Sequence, residues 1–219
     1  MLLLSSCGVR NATHFSSADN FNNIKATVTL DDNSQIAGYL TLRKNNMGSH
    51  ASIWQPANKT NEPVNVADIT GFSTDLGTFY FKVLHPSAAG KLNGSKPFGA
   101  FVKLISSPGD AISLYEYTEY TPGIKSSLPN AVRHYYIQLP GENEKHIWDI
   151  EGEKLNPHFN DMTKKIFAGD AALVQKIENK ERGFYYKPFS FSSSDKLKIL
   201  MNLINEYSQQ NLSPSIAAD

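Results

Sequence analysis

The sequence predicts an α+β fold: an antiparallel β meander or partly open barrel of about nine short strands, followed by about three C-terminal helices packed on it. Three observations carry this expectation. Apolar residues recur with a period of two from Ile24 to Ile150. From Glu151 onward they recur at helical spacing instead. Finally, 219 residues of which 40% are hydrophobic and 19% charged can bury a substantial core, which excludes a disordered chain.

The strands follow in order. Ile24, Ala26, Val28 and Leu30 alternate with polar residues, Asp31-Asp32-Asn33-Ser34 supplies a turn, and Ile36, Gly38, Leu40 and Leu42 share one face of the return strand. A second turn at Asn45-Asn46-Met47-Gly48 leads to a strand at Ser52–Gln55, then Val66–Phe72 and the Phe79, Phe81, Val83 run, closed by His85-Pro86. Ser87 to Pro97 reads as a loop. Phe101–Ile105 and Ile112–Glu119 are joined across Ser107-Pro108-Gly109-Asp110, where Pro presets φ and Gly supplies the positive φ of a turn. Thr121 to Asn130 is a loop, and His134–Leu139 and His146–Ile150 form a last hairpin.

The helical part opens with Asn156 as the expected cap, Pro157 in the first turn, and a stripe of Phe159, Met162, Ile166 and Phe167 that ends at Gly169. Asp170 caps a second helix whose face is Leu173, Val174 and Ile177, ending before Gly183. Ser193, Ser194 and Asp195 open a longer helix to about Gln209, with Leu197, Leu200, Met201, Ile204 and Tyr207 at helical spacing. The expected organisation is a tether over residues 1–23 and a single globular domain over 24–219. Within that domain 24–150 is mainly β, 151–210 mainly helical, and 211–219 a frayed tail.

Charge narrows the function classes. The chain has 21 Lys+Arg and 21 Asp+Glu, balanced equally on either side of Ile150, so no nucleic-acid partner is expected. A single cysteine excludes an internal disulfide and a cysteine-rich zinc site. No apolar run approaches the ~18 residues of a membrane-spanning helix.

Catalytic signatures are sparse. There is no G-x-S-x-G elbow, no H-E-x-x-H and no EF-hand loop, so no catalytic residue, metal or cofactor is assigned. The six histidines are spread along the chain. Glu142, Glu144 and His146 alternate and would share a strand face suited to a metal, but they follow Pro140-Gly141 and read as a solvated turn. Asp149, Glu151 and Glu153 repeat that spacing and read as a polar linker into the helices. Tyrosines are the more suggestive residues. Tyr115 and Tyr117 fall on the face opposite Ile112 and Leu114, where amphipathic rings suit contact with a peptide or a sugar. They are the expected contact surface, unless the helices cover that face.

At the N-terminus, Leu4-Ser5-Ser6-Cys7 resembles the lipobox of bacterial lipoproteins. The resemblance implies cleavage before Cys7 and acylation of that residue, with the rest of the signal upstream of Met1. Two or more acyl chains at ~0.8 kcal/mol per buried CH₂ anchor a protein stably. Gly8 follows Cys7 where an Asp would signal inner-membrane retention, which implies the outer membrane, and no acidic cluster of the surface-export kind follows Cys7, which implies the periplasmic side. The residues Gly109, Ile112, Leu114 and Tyr115, with Phe159, Leu173, Ile177, Ile204 and Tyr207, resemble a group of uncharacterised Bacteroidetes-type lipoproteins that pair a G-x-x-I-x-L-Y strand with a C-terminal helical unit. This chain reads Gly169-Asp170-Ala171 where members often carry Asp-Cys-Pro. The strand–turn–strand opening at Ile24 is also similar to small SH3-like barrels.

The resulting expectation is a membrane-anchored envelope protein acting as a non-enzymatic binding module for an envelope protein, peptide or glycan. The alternatives are a hydrolase with a site assembled from scattered residues, or a structural subunit of an envelope complex.

Overall fold

The computed structural model describes residues 20–45, 48–87, 96–107, 112–121, 130–156, 158–187 and 193–212. Cys7 and the tether as far as Asp19 lie outside the described residues, as do the Pro108-Gly109-Asp110 turn, the Pro122-Gly123 loop, Pro157 and the tail beyond Leu212.

The architecture is α+β, with one ten-stranded sheet and three C-terminal helices. The strands are β1 (Asn20–Leu30), β2 (Gln35–Asn45), β3 (Gly48–Gln55), β4 (Thr60–Val64), β5 (Ile69–Thr74), β6 (Gly77–His85), β7 (Phe98–Ser106), β8 (Leu114–Thr121), β9 (Asn130–Ile137) and β10 (His146–Asp149). Their order in the sheet is β10-β9-β8-β7-β6-β5-β1-β2-β3-β4, and β10 also pairs with β6. Within the described residues the chain divides into two compact units. The first takes the chain to Val83, Phe98–Leu104 and Tyr115–His134, and the second takes Leu84–Pro97, Ile105–Leu114 and Tyr135 onward.

In the first unit the β1–β2 hairpin turns as its sequence dictates. Asp32 accepts the Ser34 N–H at 2.8 Å, and Asn33 takes a φ of 64° that few residues tolerate. β1 starts at Asn20, inside the segment expected to be tether. A register shift between Phe21 and Ile24 explains why alternation hides this. Asn23 occupies the bulge at φ 53°, with its N–H donating to Thr41 Oγ1 at 3.1 Å. Phe21, at an odd position, therefore enters the same core as Ala26 and Val28. There it meets Phe72 and Phe79 edge-on, at 5.1 and 5.3 Å between ring centres.

The tenth strand is β4. Its Pro63 lies opposite Ser52 of β3, and β4 is the end strand of the sheet. A proline is tolerated at an edge because no outer neighbour needs its missing N–H. The strand expected from Val66 begins later, since Val66–Asp68 form one turn of 3-10 helix capped by the Asn65 side chain.

The core of the second unit joins Leu114, Ile137, Trp148 and Ile150 to the helices α1 (Phe159–Ile166), α2 (Ala171–Glu178) and α3 (Ser193–Leu212). Phe159, Phe167, Leu173, Ile177, Leu200 and Ile204 are all buried in it. Asp170 caps α2 as expected, accepting the Leu173 N–H at 3.0 Å. The N-cap of α1 is His158 rather than Asn156, and it makes no side-chain capping bond. Asn156 instead closes a preceding turn, its N–H bonded to the Gly152 carbonyl at 2.8 Å.

Candidate functional site

β-register assembles a row of side chains across four strands of the first unit. Lys25 of β1 lies opposite Tyr39 of β2, Tyr39 opposite Trp54 of β3, and Trp54 opposite Asn61 of β4. Direct partners in antiparallel strands project from the same face with their Cβ atoms ~5 Å apart. That face is the solvent side. Lys25 and Asn61 are exposed, Tyr39 is half-buried, and Trp54 keeps 38% of its surface in contact with water. Ile53 and Leu40, one residue along, are fully buried on the other face.

A second row lies two residues away along the strands. Ala37 is opposite Thr27, Thr27 opposite Ser73, and Ser73 opposite Thr78, with the Ser73 and Thr78 hydroxyls 3.2 Å apart. Short side chains here leave a trough of about 620 Å³ beside Tyr39, rimmed by Lys25 and Asp75. The arrangement offers a flat aromatic surface next to an amine, a carboxylate and hydroxyls.

The other aromatic clusters are engaged. Tyr115, expected as an open contact residue, retains only 5% of its surface. Its ring meets Tyr80 edge-on at 6.5 Å and lies 5.3 Å beneath the Lys82 amine. Tyr117 is half-buried, with its ring against Phe98 at 5.6 Å. Tyr115, Glu116 and Thr118 are all buried, so β8 is covered on both faces and the expected Tyr115–Tyr117 surface is not an open one. Among the described residues no ring or cation packs against Tyr39 or Trp54. Alternation cannot reveal this pair, because it depends on the β2–β3 register.

In the second unit, His85 and His146 come together with Nε2 and Nδ1 2.8 Å apart. His85 stacks on Trp148 at 4.9 Å, and the Lys154 amine lies 4.0 Å from the centre of the Trp148 ring. Burial first, and then the neighbouring His146 and Lys154, hold His85 below the ordinary imidazole pKa; Glu142 acts in the opposite sense.

Glu142, Glu144 and His146 do not converge. Glu142 pairs with Lys154, Glu144 is exposed, and His146 turns to His85. Among the described residues no three His, Cys, Asp or Glu side chains form a metal-binding group. The Asp149–Glu153 stretch is more than a polar linker. Asp149 is buried and accepts the N–H groups of Ser87 and Glu151 at 3.3 and 2.8 Å, while Glu151 pairs with Lys196.

Comparison with protein-family models, with curated proteins and with solved structures finds no match.

Proposed function

We propose that the protein is a non-enzymatic envelope module that binds glycans on the outer face of β1–β4. The observation that carries this reading is the Lys25–Tyr39–Trp54–Asn61 row, whose two rings pack against no other ring among the described residues. The C–H face of a sugar ring is apolar and flat, so it stacks on Tyr or Trp, while its hydroxyls need donors and acceptors at the rim. Thr27, Ser73, Asp75 and Lys25 supply those groups around the trough. A preformed sheet face also loses little entropy on binding.

Edge-to-edge assembly, the structural-subunit alternative, is disfavoured by β4, a five-residue end strand interrupted by Pro63.

Lipidation belongs to the same proposal. Acylated Cys7 would hold the module at the outer membrane, where local concentration compensates for weak single contacts. Mass spectrometry of membrane-extracted protein should show acylated Cys7. A soluble product with Met1 intact would end the anchoring part of the proposal.

The glycan part has an intrinsic probe. The chain has two tryptophans, Trp54 exposed and Trp148 buried, so Trp148→Phe leaves Trp54 as the single tryptophan, whose emission is read by exciting beyond the tyrosine band. Envelope oligosaccharides should shift or quench that emission in a saturable way, and Trp54→Ala should abolish retention on immobilised glycan without lowering Tm. Unchanged emission across the oligosaccharides, with retention indifferent to Trp54, would sink this reading.

A further inference from the structure

The second unit carries a cleft of about 590 Å³ between two walls, within the ~300–1,000 Å³ range of small-molecule sites. One wall is a single face of α3, formed by Asp195, Lys198, Ile199 and Asn202 at helical spacing. The other is the segment that follows α2, from Lys180 to Lys187.

That segment is held in place. Lys180 takes a φ of 56° where α2 ends, and the Lys180 and Glu181 N–H groups return to the Ile177 and Lys176 carbonyls at 3.1 and 3.0 Å. The Gly183 carbonyl accepts from Asn202 Nδ2 at 3.0 Å, tying the segment to α3. Asn160 clamps the Tyr186 backbone with two hydrogen bonds of 2.8 Å. The Tyr186 ring is fixed by Phe159 at 5.5 Å and by the Lys196 amine at 5.1 Å.

The lining charge is the unusual feature. Lys180, Arg182, Lys187 and Lys198 face two carboxylates, Glu181 and Asp195, in a chain whose formal net charge is +0. Among the described residues Arg182, Lys187 and Lys198 have no ion-pair partner. Like charges gathered around a concave surface repel one another and focus a positive field into it, which an anion relieves.

We propose that this cleft binds a phosphoryl group. The excess of two cations matches the ≈ −1.5 to −2 charge of a phosphate monoester better than the single charge of a carboxylate. The Arg182 guanidinium adds the planar fork that suits phosphate oxygens. Tyr185 and Tyr186 provide the surface along which the rest of the molecule lies. Such a group could belong to a soluble phosphate ester or to a lipid headgroup.

Calorimetric titration of the full, unacylated chain with inorganic pyrophosphate tests the shared chemistry. Expected is one saturable site that weakens as salt rises. In Arg182→Ala/Lys198→Ala the affinity should drop by about tenfold or more, whereas Glu181→Gln should tighten it. Trp54→Ala should leave it unchanged, so this proposal and the glycan reading fail separately. Sedimentation with phosphatidylcholine vesicles, with and without phosphatidic acid, whose headgroup is a phosphate monoester, separates the sources. Anionic-vesicle binding that the double variant loses assigns a headgroup; pyrophosphate binding without vesicle binding assigns a soluble ester. No saturable binding to either probe, or a double variant that binds as tightly as the parent, overturns the proposal.

Discussion

Nε2 of His85 lies 2.8 Å from Nδ1 of His146, and the His85 ring is stacked on Trp148 at 4.9 Å. One imidazole must donate and the other accept, so the contact needs at least one neutral ring. His85 is the ring whose pKa the fold depresses, through burial and then through His146 and Lys154, against the opposing pull of Glu142. A depressed pKa means that the unfolded chain binds more protons than the folded one as the pH falls below the ordinary imidazole pKa of about 6.5. The His85 contribution should therefore be complete above that pH and be lost as the pH falls through the folded-state pKa. Urea midpoints measured across this window should decline towards acid. His85→Phe, which keeps a ring on Trp148, should flatten that decline; an equally steep decline in the variant would remove His85 from the explanation.

Phe21 carries the core of the first unit into the segment expected to be tether. Its ring is fully buried between Phe72 and Phe79. Phe21→Ala should cost about 3–5 kcal/mol in chemical denaturation, whereas Lys25→Ala, on the exposed face, should stay within ~0.5 kcal/mol. If the two variants melt alike, the strand is frayed before Ile24 and the core begins later.

Much of this fold is legible in the sequence because local chemistry decides it. The Asp31–Ser34 turn, the Asp170 cap and the Phe159–Phe167 stripe each follow from residues within a few positions of one another. What escapes reading depends on distant partners. Phe21 is hidden by a bulge, because one register shift inverts the parity on which alternation rests. β4 is hidden by Pro63, which looks like a strand breaker until its edge position is known. The Tyr39–Trp54 pair requires the β2–β3 register, and the cationic cleft requires α3 to fold back along the segment after α2. Tyr115 misleads for the opposite reason. Its parity is right, but both faces of β8 are covered.

Gly38 and Gly169 should respond in opposite directions to the same substitution. A Cβ on Gly38 would stand 2.6 Å from Ile53 Cγ2 and 2.6 Å from the Trp54 carbonyl oxygen, a backbone atom that cannot swing aside. Gly38→Ala should thus cost about 1–3 kcal/mol by overpacking. A Cβ on Gly169 would meet nothing within 4 Å, and its φ lies outside the left-handed region. Gly169→Ala should then be stabilising by ~0.4–1 kcal/mol, since it restricts the unfolded chain. Denaturant midpoints of the two variants decide the matter; a tolerated Gly38→Ala would mean that β2 and β3 can separate at this point.

Lys196 has 2% of its surface exposed, with its amine 2.5 Å from Glu151 Oε2 and 5.1 Å from the centre of the Tyr186 ring. The pair links the first turn of α3 to the turn after β10. Taking an ammonium out of water is costly, and the carboxylate offsets that cost only while it is present. The two partners should therefore be unequal under mutation. Glu151→Ala strands a buried cation and should destabilise by at least ~1–3 kcal/mol. Lys196→Met removes the charge while keeping the side-chain volume, and Glu151, whose side chain is 32% exposed, can return to water. That variant should lie within ~1 kcal/mol of the parent, and adding Glu151→Ala to it should cost little more. Thermal melts of the single and double variants complete the cycle. A Lys196→Met protein as unstable as Glu151→Ala would show that the ion pair itself, rather than the burden of an unpaired ammonium, holds α3 in place.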